Sequence, residues 1–263
     1  GGAGGGFSSN LYFFRQEIDG ITDREAVGTE LRYFRENAAI FSLIDYETAY
    51  NELNIFLVNG NWQLPGGTAF NILYDYRRSP PLQTSNALLG ETLTSISGLL
   101  ATRTEDQIRQ DALDRTPNTK VFFVSVLHPL NPSLQVGGDI IVANISGTPA
   151  SGALPETQGT GNVITYTPKI IASNLLFDKD VSVASVGLTK SDAFDATSVA
   201  FLNRALTNKW RFDTGLRYYR QDNADGSQLT RWTPTLKVDY LWRRDLTLEI
   251  ELGQERSKTS STT

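Results

Sequence analysis

The sequence predicts an all-β chain: an antiparallel transmembrane β-barrel of about fourteen strands, with a helical insertion in one long loop. Three observations carry this. Apolar and polar residues alternate with period two along segment after segment, which marks strands with one apolar and one polar face. Many of these segments are far longer than the ordinary strand of about 5–6 residues and reach the length of about 9–11 that a tilted strand needs to cross a bilayer. The connections also alternate in kind. They are tight at 35–37, 65–67, 131–133, 177–180, 207–209 and 243–245, and longer or richer at 19–23, 48–52, 79–118, 147–161, 191–195 and 222–227. Short turns at one rim and long loops at the other suit a barrel that spans a membrane.

Taken in order, SNLYFFRQEI (9–18) is the first strand and REAVGTELRYF (24–34) the second, with Val27, Leu31 and Tyr33 on one face and Glu30 and Arg32 on the other. AAIFSLIDYE (38–47) and LNIFLVNGNWQL (53–64) follow, closed by the turn Pro65-Gly66-Gly67. TAFNILYDYRR (68–78) sets Phe70, Ile72, Tyr74 and Tyr76 against Asn71, Asp75 and Arg77. At Pro80-Pro81 the alternation stops. Residues 87–101 and 104–116 read as helical, with Thr104 and Gln107 spaced as a capping box. Ile108 and Leu113 make a sparse apolar stripe, so 79–118 is expected to be a helical insertion, exposed or lumenal. Strands resume at 120–128, 134–146, 162–176, 181–190, 196–206 and 210–221, and the chain ends on a long hairpin, RWTPTLKVDYLWRRDLTLEIELGQE (231–255).

The bulk numbers hide such an architecture. At 263 residues with a net charge of −5 and a mean hydropathy of −0.26, the chain looks soluble, as a wall of alternating residues does. No apolar run of about 18 residues is present, which excludes a transmembrane helix. The acidic balance and the lack of a basic run argue against nucleic acid as a partner. Without cysteine, disulfides and cysteine metal sites are excluded. The glycine-rich opening, residues 1–6, reads as a flexible linker, and the chain as a mature or excised fragment. Residues 7–257 are then the barrel, and 258–263 a loop or truncated end before a missing last strand.

If the apolar register faces lipid, the polar one lines a lumen. The lumen candidates are Arg15, Glu17, Glu30, Arg32, Asp75 and Arg77 on early strands, and Arg211, Asp213, Arg217, Arg231, Lys237, Asp239, Glu249 and Glu251 on late ones. Opposite charges on neighbouring strands pair for about 0.2–1 kcal/mol each. They make either a neutralised polar wall or a selectivity surface for a polar or charged polymer. Trp62, Tyr74, Tyr76, Trp210, Tyr218, Trp232, Tyr240 and Trp242 cluster near strand ends, as aromatic girdles do at the headgroup level.

Chemistry is thin by comparison. His128, the single histidine, ends a strand, and Ser125 three residues away falls on the opposite strand face, so no relay forms. Asp222, Asn223, Asp225 and Gly226 read as an Asx-bonded turn rather than a calcium loop. The expectation is no enzyme, no catalytic residue, no metal and no cofactor.

The pattern resembles a Gram-negative outer-membrane β-barrel. More narrowly, FFRQEIDGITDREAVG (13–28), NILYDYRRSPPLQTSNALLG (71–90) and VANISGTPASG (142–152) resemble the C-terminal barrel of large tetratricopeptide-repeat envelope proteins. The organisation is also similar to barrels that export exopolysaccharides. The resemblance implies an outer-membrane location, a lipid bilayer around the barrel, a periplasmic repeat domain or scaffold as partner, and a secreted polymer as cargo. Two departures stand out: no repeat domain is present, and the chain stops at GQERSKTSSTT, in what should be the last external loop, before the even-numbered strand with a terminal aromatic on which such barrels end. Three readings stay open, namely a pore or export channel, a closed barrel serving as anchor or interaction module, and a soluble barrel that binds a small ligand.

Overall fold

The structure, a computed structural model, describes residues 4–243 and 246–261. It is all-β. The strands are β1 (Gly6–Ile18), β2 (Ile21–Arg35), β3 (Ala38–Glu47), β4 (Glu52–Gln63), β5 (Ala69–Arg78), β6 (Asn118–Asn131), β7 (Leu134–Ile145), β8 (Val163–Ser173), β9 (Asp180–Lys190), β10 (Phe194–Leu206), β11 (Trp210–Asn223), β12 (Ser227–Arg243), β13 (Leu246–Gly253) and β14 (Arg256–Ser261). They form one antiparallel sheet in sequence order from β1 to β13, with β14 also on β12. β1 to β12 run from 10 to 17 residues, so the strand lengths expected from the alternation are present. By contact the chain divides into two compact units, the first holding Gly1–Gln63, Asn71–Val124 and Val142–Asn162, the second the remainder.

Four expectations change. Residues 258–261, expected as a loop, belong to β14, so the strand that begins at Leu246 runs further than expected and is divided. Thr235 faces Gly253 and Trp232 faces Arg256, one continuous register interrupted opposite Pro234. Proline has no N–H to give a ladder, and there only Gln254 N donates, to Pro234 O. Second, the linker ends earlier than residue 6, because Gly6 already pairs with Phe34; residues 1–3 lie outside the described residues, as do Arg244 and Asp245 of the expected 243–245 turn. Third, 19–23 is not a longer loop. Asp19 and Gly20 both take positive φ, 49° and 83°, making the two-residue turn that matches strand twist. Among the described residues only the connections on either side of β6–β7 are long. Fourth, the helical stretch 87–101 contracts to a 3-10 turn (Thr84–Leu88) and a short helix, α1 (Ile96–Leu100), before α2 (Glu105–Asp114). The Thr104–Gln107 capping box forms as expected.

Burial is inverted relative to a soluble β-protein. Large apolar side chains stand exposed along the strands, among them Leu11, Phe13, Ile164, Leu216, Ile250 and Leu252. The buried apolar cluster belongs instead to the insertion: Ala87, Ile96, Leu99, Ile108 and Ala112, flanked by Ile18, Ile21 and Tyr50. Burying each of its larger aliphatics is worth about 1.5–3 kcal/mol. Ile108 looked sparse in sequence because its partners come from another helix.

Within the sheet, aromatic rings lie over glycines. Tyr12 pairs directly with Gly28, and a Cβ built on Gly28 would sit 2.1 Å from the Tyr12 ring. The ring therefore covers the strand where a side chain is absent. Gly28→Val is expected to displace Tyr12 and cost about 1–3 kcal/mol, read as a lowered unfolding midpoint. Gly4→Ala, with open space around it, should leave the midpoint unchanged.

Candidate functional site

The two faces of the sheet are best seen in the second unit. Trp232, Leu236, Val238 and Tyr240 of β12 align with Tyr218, Thr214, Phe212 and Trp210 of β11 and, through Leu252 and Ile250, with β13. This face is apolar and aromatic at both ends. Trp210 lies tilted at 4.4 Å against Tyr240, which also meets Trp242, and Tyr218 lies 4.7 Å from Trp232. The two levels are eight residues apart on β12, about 27 Å along a strand, or about 20 Å across a bilayer at a tilt of about 40°. In the first unit, Phe13, Val27 and Tyr46 share one face by register, and Phe56 and Tyr74 touch at 5.7 Å. Trp62 pairs with Ala38 in step with Phe56 and Ile44, and Tyr76, two residues on from Tyr74, shares its face. The predicted aromatics thus fall on the apolar side.

The opposite face carries charge. Arg204, Asp213, Lys237 and Glu251 stand in one row across four strands, and Arg211, Asp239 and Glu249 in another. Asp213 accepts from Arg204 at 2.6 Å and from Arg211 at 2.6 Å. Arg211 reaches Asp239 at 3.7 Å, Lys237 reaches Glu249 at 2.8 Å, and Arg231 reaches Glu255 at 3.2 Å. By register all eight late-strand candidates share this face. Among the described residues Arg217, exposed there between Ala200 and Thr233, has no ion pair. Arg204 and the pair Lys169–Asp139 at 2.8 Å were missed, because Asp139 and Lys169 are the single charges of β7 and β8 and Arg204 is one of only two in β10, in otherwise apolar or hydroxyl-rich strands.

The early-strand candidates divide. Glu30 and Arg32 pair at 3.0 Å and Asp75 and Arg77 at 2.5 Å, and Glu30 and Arg32 share the Gly28 face. Arg15 and Glu17 do not line it. Arg15 sits opposite Glu25 on the Phe13–Val27 face, bonded to Glu17 at 2.8 Å and near Glu25 at 3.5 Å. Their place beside the Asp19–Gly20 turn puts these half-exposed charges at the rim, where long side chains reach water. The buried charge on the Gly28 face is instead Arg24, Asp45 and Glu47. Arg24 donates to Asp45 at 2.8 Å and to Glu47 at 3.3 Å, and the Tyr12 hydroxyl donates to Asp45 at 2.5 Å. The run Tyr12-Phe13-Phe14 concealed this register, since aromatics occupy both faces in succession.

The insertion caps this cluster's end of the strands. It is tied to the β1–β2 and β3–β4 turns and to the start of β4: Ser97 N donates to Asp19 at 2.8 Å, Ser85 N to Asp23 at 2.7 Å, Leu82 N to Asn54 at 2.7 Å, and Thr84 Oγ1 to the Thr22 carbonyl at 2.8 Å. The Tyr50 hydroxyl donates to Thr84 at 2.9 Å, and burial pushes that phenol up to about 12. Inside the cap Glu91 accepts from Arg115 at 2.7 Å and Arg103 at 2.9 Å. These two guanidinium groups hold its carboxyl below the usual range. Arg115, almost fully buried, also bonds the Ala87 carbonyl and Ser151 of the second long connection.

Elsewhere the chemistry-bearing residues are engaged locally. His128 Nδ1 pairs with Thr68 Oγ1 at 2.7 Å. Asp225 accepts from Ser227 N at 2.8 Å, which is the Asx-bonded turn.

No family model matches the chain, and no curated protein matches it. Among solved structures it aligns with an OmpT loop L8 deletion mutant, an outer membrane protein of Vibrio cholerae, at 8% identity and a TM-score of 0.38, over 96% of this chain and 94% of that one. In-vitro folded OmpT of the same organism aligns at 8% identity and a TM-score of 0.37, over 96% and 86%. Both are outer membrane proteins, the location expected of this chain. The expectation that the chain is no enzyme is withdrawn. It rested on missing motifs alone, and missing motifs exclude no activity.

Two outcomes follow for the cap. Arg115→Met strands the Ala87 carbonyl and weakens the hold on Glu91, and should lower the opening free energy of the cap by about 3 kcal/mol, measured by amide exchange across 82–117. Acid should loosen it too. Glu91 has a folded pKa below its unfolded value near 4.3, so its contribution is whole above about 4.3 and lost as pH falls through the folded value. Limited proteolysis of 82–117 should therefore rise only below about pH 4, and Glu91→Gln should flatten that rise.

Proposed function

We propose that the sheet closes into an outer-membrane barrel whose polar face lines a pore for a polar polymer such as an exopolysaccharide, within a larger envelope assembly. The observation that carries this is the division of the faces. Exposed apolar side chains between two aromatic levels suit lipid, and rows of matched ion pairs suit water. A soluble barrel would need its apolar face inward, against the exposure of Ile250 and Leu252. The neutralised rows favour passage of a polar chain without tight capture, and Arg217 supplies the free positive charge. A periplasmic repeat scaffold as partner rests on the sequence resemblance.

A second reading has its own support. The bonds from the cap to Asp19, Asp23 and Asn54 favour a barrel shut at that rim, acting as an anchor. Single-channel conductance in planar bilayers separates the two. A channel should conduct as the intact chain, and Arg217→Glu should shift its ion preference toward cations. Conductance only after deletion of 82–117 identifies the cap as a plug, and silence from both folded chains leaves the anchor.

A further inference from the structure

The turn between β8 and β9 contradicts ordinary turn chemistry. It holds three large apolar residues in succession, Leu175, Leu176 and Phe177, exposed to 58%, 54% and 62%. A loose turn would fold such side chains back onto the nearest apolar surface. This one is fixed. Asp180, 1% exposed, accepts from the backbone N–H groups of all three, at 2.7 Å from Leu175, 3.0 Å from Leu176 and 3.3 Å from Phe177. Asn203 of β10 donates to the same carboxylate at 2.7 Å, anchoring the turn to the sheet. Asn174 caps the loop from the other side, accepting from Lys179 N at 2.8 Å. Asn174 and Lys179 both take positive φ, 56° and 64°, which costs backbone energy for non-glycine residues.

We infer that this turn is a membrane-interface anchor, inserting Leu175, Leu176 and Phe177 into the edge of an anionic bilayer. The inference rests on the reading of the apolar face as lipid-facing, and goes beyond it by giving one turn a distinct role. Two observations favour a bilayer over a protein as occupant. The turn lies at the strand ends where Trp210, Tyr240 and Trp242 gather, continuous with the aromatic level that suits headgroups. Lys179 in the turn, Lys209 in the adjacent β10–β11 turn and Arg243 at the end of β12 outnumber Asp178 and the buried Asp180 at this level, which suits anionic headgroups. At the other end of β9 to β12 the connections are Ser-Asp-Ala (191–193) and Ala-Asp-Gly (224–226), polar or small throughout. An anchor is needed at one rim only.

The absence of cysteine makes the test direct. Single-cysteine variants Leu176→Cys, Ile250→Cys and Ala224→Cys are labelled with an environment-sensitive fluorophore. They are reconstituted into vesicles of phosphatidylcholine with phosphatidylglycerol, then quenched by shallow nitroxide lipids or by a water-soluble quencher present on both sides. At position 176 the lipid quencher should act severalfold more strongly than the aqueous one, as at 250 and unlike 224. If 176 behaves like 224 while 250 reports lipid, the anchor is overturned and the lipid-facing sheet stands. If 250 also reports water, both fall together. In neutral phosphatidylcholine vesicles the lipid contact at 176 should weaken. Unchanged contact would overturn the charged part of the assignment.

Discussion

The constraint behind this structure is that every strand must find its backbone partners in its neighbours. In lipid an unpaired N–H or C=O costs several kcal/mol, and a ladder of antiparallel strands satisfies both edges of each interior strand at once. Side chains are then free to sort by face. In β12 the sorting is nearly complete, with Leu236, Val238 and Tyr240 on one side and Lys237 and Asp239 on the other. The opposite solution, apolar side chains turned inward, is what the cap adopts. One chain thus contains a wall that is stable with its apolar surface outside and a small domain that is stable with its apolar surface inside.

These two parts are held by different forces. The wall relies on hydrogen bonds and cross-strand ion pairs, with the rows through Asp213 and Asp239 matching charge strand by strand. Such exposed pairs contribute little singly, about 0–1 kcal/mol, and act mainly by fixing register. The cap relies on Ile96, Leu99 and Ile108 and on the buried guanidinium of Arg115. Where the two meet, carboxylates of the β1–β2 hairpin accept from cap N–H groups, a contact of strong acceptors with the backbone donors of short, irregular helical turns.

How far the sequence could be read depended on how strictly each segment alternates. The β12–β13 hairpin shows its faces openly, and so do Glu30 and Arg32 on β2. β1 does not, because Tyr12, Phe13 and Phe14 put an aromatic ring on each face in turn, and Arg15 and Glu17 were placed on the wrong side. Arg24, Asp45 and Glu47 stayed hidden since they converge from two strands only once the register is known. The cap core was unreadable for another reason. α1 is too short for a helical stripe, and Ile96 and Leu99 complete their contacts with Ile108 and Ala112 of α2. The division of the last strand at Pro234 lay in the partner strand, not in Gln254.

The hydrogen bonds of the cap also say something about time. Ser85 reaches back 62 residues to Asp23, and Ser97 reaches back 78 residues to Asp19. The β1–β2 hairpin that receives them closes across two residues and forms early, whereas loops of that span close late and against entropy. By loop-closure entropy the hairpin is the local template onto which the cover closes. The finished molecule thus holds two carboxylates of one of its shortest-range hairpins under its longest-range side-chain hydrogen bonds.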